Sequence, residues 1–311
     1  MTSRHSGLYS NGFMQGMENG QRASAAPRHR GDHRIPQTMM TSGKLAELER
    51  ILNEMGGTLI AFSGGVDSTF LLKVASDTLG PRAVAATATS AVRASDELPR
   101  ARELARGIGA ELVVVETDEL DDPEFVSNPP ERCYVCKKRL FSELQRIAGA
   151  RGLAAVAEGT LVDDEADYRP GMRAVSELGI RSPLKEAGFT KAEVRELSKK
   201  MGLPTWNAPS SPCLATRLPY GTAITEERLH RVERAERLLA DLGIVESRVR
   251  DHGDVARIEV SRADEHILLE PDSREAIATG IKALGFAYVA IDLTGYRTGS
   301  MNETLTERKQ S

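Results

Sequence analysis

Thr58-Leu59-Ile60-Ala61-Phe62-Ser63-Gly64-Gly65-Val66-Asp67-Ser68 is the stretch whose reading decides the fold. An apolar run ends in Ser-Gly-Gly-Val-Asp-Ser and passes straight into a helical pattern. Gly64 and Gly65 let the backbone turn tightly and approach an anion closely. The amides that follow belong to a helix N-terminus, where unpaired N–H groups and the helix dipole favour negative charge. Ser63 and Ser68 add hydroxyl donors. Asp67 beside a phosphate requires a cation between the two, and Mg²⁺ is the ordinary bridge. The stretch lacks G-x-x-x-x-G-K-[ST], so it is not a Walker A loop.

Outward from this cradle, Leu45, Leu48, Ile51 and Leu52 mark one face of a helix over 44–55. Short apolar runs predict strands at 58–62, 83–89, 111–116 and 154–158, of the kind covered on both faces. Helices are predicted between them at 68–79, 95–108 and 136–149. Thr190 and Glu193 form a capping box for another at 190–201. This alternation implies an α/β fold: a parallel sheet with right-handed crossovers and helices on both faces, binding ligands beyond the carboxyl ends of its strands. After Gly221 the composition changes. A charged helix from Thr225 to Leu242, a hairpin of 246–251 and 255–261 around Gly253, a helix at 272–284 and a strand at 286–293 predict a smaller α/β domain. The expected organisation is a tail at 1–41, a nucleotide domain at 42–221, a small domain at 222–302 and a frayed end at 303–311. The tail has no periodicity, and Met39 or Met40 is an alternative start.

Length and composition bound the function. The 311 residues suggest two domains, and 40% apolar with 28% charged residues is ordinary for a soluble globular chain. The net charge of −4 gives no general reason to expect nucleic acid or an anionic membrane as partner. There is no apolar run of the ~18 residues a bilayer span needs, and no apolar core of a secretory signal, so the expectation is cytoplasmic.

Three cysteines are too few for a disulfide framework. Cys133 and Cys136 stand at i and i+3 in Pro129-Pro130-Glu131-Arg132-Cys133-Tyr134-Val135-Cys136-Lys137-Lys138-Arg139, on one helical face. The basic neighbours and the helix start predict lowered thiol pKa values. Cys213 lies in a proline-flanked loop, Trp206 to Gly221. The pattern admits a redox pair, part of a zinc site, two buried structural thiols, or three cysteinates around a 4Fe–4S cluster. The last is the favoured reading. Such clusters usually take four cysteines, so three leave one iron open for a transferable sulfide or a substrate.

The Ser63–Ser68 segment resembles the PP-loop of the ATP pyrophosphatases, which cleave ATP to AMP and pyrophosphate and activate a substrate as an adenylate. From roughly residue 44 to 302 the chain resembles the LarE family of sulfur transferases in nickel-pincer nucleotide biosynthesis. The resemblance rests on Ser63–Ser68, Glu131-Arg132-Cys133-Tyr134-Val135-Cys136-Lys137, Glu158-Gly159-Thr160, Ser182-Pro183-Leu184, Pro212-Cys213-Leu214-Ala215-Thr216-Arg217 and Gly295-Tyr296-Arg297-Thr298-Gly299-Ser300-Met301-Asn302. It implies a PP-loop, Rossmann-like domain, ATP with Mg²⁺, and a pyridinium dicarboxylate mononucleotide whose carboxylate is adenylated and then converted to a thiocarboxylate. One branch of the family sacrifices the sulfur of a cysteine at the Cys213 position. Another has three cysteines and a 4Fe–4S cluster, which this chain resembles. The resemblance also implies a homo-oligomer and leaves the sulfur donor unnamed.

The expected roles follow. Ser63, Gly64, Gly65, Asp67 and Ser68 hold the pyrophosphate end of ATP, with Asp67 on Mg²⁺. Thr87 and Ser90 face the base or ribose, and Gly159 and Thr160 border the same sheet edge. Lys137 neutralises a phosphate or carboxylate near the catalytic cysteines. Arg217, Arg248 and Arg250 bind substrate phosphate. Asp163, Asp164, Glu165 and Asp167 are either a Mg²⁺ cluster or a solvated loop. A tRNA thiolase also joins a PP-loop to cysteines, but the net charge and the lack of an RNA-binding appendage stand against it. A non-enzymatic nucleotide-binding iron–sulfur or thiol sensor would bind nucleotide without turnover.

Overall fold

A computed structural model of the chain describes residues 37–166, 170–297 and 299–303, and all of these fall in one compact unit. The expected tails at 1–36 and 304–311, and Asp167, lie outside the described residues. In chain order the helices are α1 Gln37–Met55, α2 Val66–Leu79, α3 Glu97–Ile108, α4 Pro123–Val126, α5 Arg132–Ala150, α6 Gly171–Glu177, α7 Pro183–Glu186, α8 Lys191–Lys200, α9 Glu226–Asp241, α10 Glu265–Leu269 and α11 Pro271–Ala283. The strands are β1 Thr58–Ala61, β2 Ala83–Thr89, β3 Glu111–Glu116, β4 Ala155–Ala157, β5 Ser247–His252, β6 Val255–Val260 and β7 Tyr288–Ile291. α1 starts before the expected Lys44, so residues 37–41 are helical rather than part of a tail.

The first four strands form one parallel sheet in the order β3-β2-β1-β4. The chain steps outward from β1 to β3 and then returns to the other side of β1, where Ile60 pairs with Ala85 on one flank and Ala157 on the other. The strand order therefore reverses beside β1, which is where open α/β sheets bind ligands. Successive residues of β1 enter opposite layers because side chains alternate along a strand. Ile60 packs with Leu48, Leu52, Phe70, Phe189 and Val194 from α1, α2 and the α8 side. Leu59 packs with Val84, Val115, Phe141, Leu144 and Val175 from the α5 and α6 side. Both layers are apolar, so the sheet is covered on both faces as expected.

The second sheet joins β5 and β6 antiparallel and β6 and β7 parallel, in the order β5-β6-β7. α9 and α11 cover it, with Ala235, Leu239, Val249, Ile258, Ile277, Ile281 and Phe286 in its core. Thr225 caps α9 by accepting from the Arg228 amide, and Thr190 and Glu193 make the full capping box on α8. No helix among the described residues is long and apolar enough to cross a membrane.

Asp251 on β5 is fully buried and is held by Arg228 at 3.2 Å, Arg231 at 2.5 Å and the Gly253 amide at 2.9 Å. Two arginines from α9 thus clamp the β5–β6 turn. Removing the carboxylate leaves their charges without a buried counter-ion. Asp251→Ala is expected to destabilise the protein by about 3 kcal/mol in urea unfolding. An unchanged midpoint would show that the clamp contributes nothing.

Candidate active site

β1 delivers the chain to the cradle. The Phe62 amide still bonds to Ala86 O at 2.8 Å, and the backbone then turns at Gly64, whose φ of +70° is left-handed. Gly65 is the extended N-cap of α2. Ser68 Oγ accepts from the Ser63 amide at 3.3 Å, lies 3.1 Å from Ser63 Oγ and donates to Gly65 O at 3.3 Å. The two serines therefore hold the turn shut while α2 presents its first, unpaired amides. Gly159, just past β4, lies directly beneath this helix start. A Cβ there would stand 3.1 Å from the Ser68 nitrogen and 3.3 Å from Asp67 Cβ. Only a glycine lets the two segments meet this closely.

The cradle opens into a cavity of about 990 Å³, also bounded by α3, α8, α9 and the 204–217 loop. Inside it Asp67 accepts from Lys191 Nζ at 2.9 and 2.7 Å. Burial pushes the Asp67 carboxyl above the ordinary carboxylate value, with Lys191 opposing the shift and Asp164 adding to it. Lys191 was not among the expected site residues. Its signal was the capping box, which sets it at the first position of a helix aimed at the cradle. Arg195, one turn on, lines the same cavity.

Other expected residues are placed differently. Thr87 is buried at the end of β2 and Ser90 Oγ is buried without a hydrogen-bond partner among the described residues, but neither lines this cavity. The Thr160 hydroxyl donates to the buried Glu158 carboxylate at 2.7 Å, as does Ser182 at 2.6 Å. Asp163 accepts from the Lys191 amide and Asp164 from the Leu161 amide, so these two carboxylates tie loops together.

The arginines divide. Arg217 and Arg248 line the cavity and Arg250 does not. Arg217 is buried, and its fork is engaged by Glu236 through Nε at 2.9 Å and Nη2 at 2.8 Å, so the bidentate face expected to meet phosphate meets α9 instead. Arg248 donates to the carbonyls of Ser247 and Ser210 and stacks over Tyr296. Burial, and then Arg217, hold its pKa below the usual arginine value. Arg250 is buried against Glu259 at 2.7 Å, Ser300 Oγ at 3.0 Å and Thr216 O at 3.1 Å. It pins Ser300 of the C-terminal string to the second sheet.

α5 begins at Arg132, so Cys133 and Cys136 both fall in its first turn; Cys213 is the N-cap of the 3₁₀ turn Leu214–Arg217. Burial raises the Cys133 thiol, the charge of Cys213 adds to the rise, and Arg132 and Lys137 oppose it. Burial pushes Cys136 up to about 12, with Cys213, Glu119 and Cys133 adding and Arg93 opposing. The expectation of lowered thiol pKa values fails because desolvation outweighs the basic neighbours. The Cys136 thiol donates to Glu119 Oε1 at 3.7 Å. Lys137 runs along Gly171, where a Cβ would meet its Cδ at 2.6 Å, and its ammonium lies 5.8 Å from the Phe141 ring. Lys137 is not part of the cradle cavity. Among the described residues no three His, Cys, Asp or Glu side chains are grouped closely enough to hold a metal ion.

Comparison with known proteins adds four findings. A model of the asparagine synthase family matches residues 58–128, the span of β1 to α4. The chain is 41% identical over 265 residues to pyridinium-3,5-bisthiocarboxylic acid mononucleotide synthase of Lactiplantibacillus plantarum, covering 85% of this chain and 95% of that protein. It is 43% identical over 268 residues to an uncharacterized protein of Synechocystis, covering 86% of this chain and 100% of that one. GMP synthase of Aeropyrum pernix is 30% identical over 229 residues, 66% of this chain and 44% of that protein.

The raised pKa of Asp67 gives two expectations. Its ionised form costs stability at neutral pH, because the folded-state value lies above the unfolded one. Asp67→Asn is therefore expected to melt no lower than the parent at neutral pH, while pyrophosphate release from ATP is lost. Turnover that needs the Asp67 carboxylate falls as pH drops through this raised value. Lys191→Met removes the opposing cation, so the acid limb of the pH–rate profile is expected to move to higher pH. A limb that stays in place or moves down would exclude the pairing.

Proposed function

The chain belongs to the LarE family, and we propose that it is an ATP-dependent sulfur transferase that converts a carboxylate of a pyridinium dicarboxylate mononucleotide to a thiocarboxylate. The observation that carries this reading is the near full-length identity to the bisthiocarboxylic acid mononucleotide synthase. A carboxylate resists attack by sulfur because its leaving group is oxide-like. Adenylation replaces this with AMP, and pyrophosphate departs. The α2 amides, Ser63 and Ser68 would receive the departing charge. Asp67 already faces a cation, the Lys191 ammonium, which supports a Mg²⁺ subsite at this carboxylate. Thr87 and Ser90 remain candidates for the base or ribose. Arg248 lines the cavity, and among the described residues its fork has only carbonyl and ring partners, so it is the arginine we assign to the substrate phosphate.

The sulfur would come from the cysteine centre. Cys133, Cys136 and Cys213 belong to two segments, and their thiols interact electrostatically. They form no single-ion site, and a soft all-thiol donor set fits a larger group such as a 4Fe–4S cluster. Bound there, such a cluster would supply an iron without a protein ligand, able to carry sulfur. Lys137 and Arg132 moderate the charge at Cys133. The nucleotide domain at 42–221 and the small domain at 222–302 would then supply the cradle and the substrate wall respectively. The exposed Tyr288, Ile291 and Leu293 on and beside the edge strand β7 support a homo-oligomer.

Anaerobically purified protein is expected to release pyrophosphate only when ATP and the mononucleotide are both present, and to yield a product with sulfur in place of one carboxylate oxygen by mass spectrometry. Nucleotide binding without turnover would make the protein a sensor instead. Cys136→Ala is expected to lose iron and acid-labile sulfide yet retain pyrophosphate release. Full iron content in that variant would remove Cys136 from the ligand set. Parent protein that holds no iron after reconstitution, but loses the Cys213 sulfur on turnover, would make Cys213 the sacrificial donor.

A further inference from the structure

The cradle cavity and the cysteine centre are separate places, yet one strip of chain borders both. It runs from Val92 to Asp96, between β2 and α3. Ala94 and Asp96 line the cavity, as does Leu214 beside Cys213. The Leu214 amide donates to Val92 O at 2.8 Å, joining the strip to the cysteine loop. The Ser95 amide donates to Glu233 at 2.6 Å, and Arg237 donates to Ser95 Oγ at 3.0 Å, joining the strip to α9. The strip is therefore held at both ends and walls the cavity through Ala94 and Asp96, while Arg93 and Cys213 are not among the cavity's lining residues.

Arg93 is the one cation on this strip. Its Nε is buried and has no hydrogen-bond partner among the described residues, and its nearest carboxylate is Glu97 at 3.9 Å. Burial acts to lower its pKa, but the charges of Cys213, Glu97, Cys136 and Glu119 outweigh burial and hold it above the usual arginine value. It is thus a permanent positive charge beside two of the three thiols, with a planar donor face only partly used. A guanidinium fork matches a carboxylate better than it matches a spherical anion.

We infer that Arg93 binds a carboxylate of the sulfur-acceptor substrate and presents it at the wall shared by the cavity and Cys213. This rests on the function proposed above, in which a carboxyl group must travel from adenylation to sulfur. The strip solves that problem by placing a carboxylate-binding group between the two sites. The unpaired Nε of Arg93, a feature it shares with Arg100, Arg132, Arg231 and Arg250, leaves a buried donor that an incoming acceptor would satisfy.

The test uses full-length parent, Arg93→Met and Arg93→Lys. Affinities for the pyridinium dicarboxylate mononucleotide and for MgATP are measured by calorimetry, together with iron and reactive thiols per chain. Arg93→Met is expected to bind the mononucleotide about tenfold more weakly or worse, with MgATP affinity, iron and thiols unchanged. Arg93→Lys keeps the charge and loses the fork, so an intermediate loss is expected, and it serves alone if Arg93→Met does not fold. Mononucleotide affinity within twofold of the parent overturns the inference. So does an equal loss of mononucleotide and MgATP binding, or a loss of iron and thiols at undiminished affinity, because these assign Arg93 to the fold or to the sulfur centre. A parent that does not bind the mononucleotide overturns the proposed function itself, and this inference with it.

Discussion

Four parallel strands put their carboxyl ends on one edge, and the rest of the molecule depends on that constraint. A parallel pair needs a crossover, so every loop leaving this edge leads into a helix start. The loop after β1 becomes the cradle, the loop after β2 becomes the Val92–Asp96 wall, and the loop after β4 brings Gly159 under α2. β1 lies inside the sheet with pairs on both flanks, so the cradle it ends in is anchored from two sides. The start of α2 thus follows an internal strand rather than an edge strand.

Charge is arranged around this edge by burial more than by pairing. Asp67, Cys133 and Cys136 are all pushed toward their neutral forms by desolvation, although each has a basic neighbour. Desolvation outweighs these neighbours because each group is packed away from water. The arginines follow a different logic. Arg217 and Arg250 are paired with Glu236 and Glu259, so that Arg217 ties the cysteine loop to α9 and Arg250 ties Ser300 to the second sheet. Arg248 and Arg93 keep part of their donor face unused by carboxylates.

The second sheet gives the cavity its far wall. α9 presents Glu233, Glu236 and Arg237 to the space opposite the cradle, while its other face packs on β5 and β6. A helix with a single apolar stripe can do both, because its charged face need not be buried. The cavity is thus enclosed by elements that the chain contributes more than a hundred residues apart, as the 124-residue separation of Asp67 and Lys191 illustrates.

What the sequence determined by itself was whatever depends on near neighbours. Strand ends, the glycine turn at 64–65, the Thr190–Glu193 capping box and the i, i+3 cysteine pair all follow from local sterics and hydrogen bonding, and the alternation of elements then implies the parallel sheet. The resemblance carried the family. The tertiary structure alone decided which cation meets which anion. Lys191 at Asp67, Glu236 in the fork of Arg217, Glu259 at Arg250 and Arg93 beside the thiols join residues with no shared pattern in the chain. It also reversed the expected direction of the thiol pKa values, because desolvation depends on everything packed around a group. A sequence shows which charges lie near one another along the chain, whereas burial and long-range pairing exist only once the chain has folded.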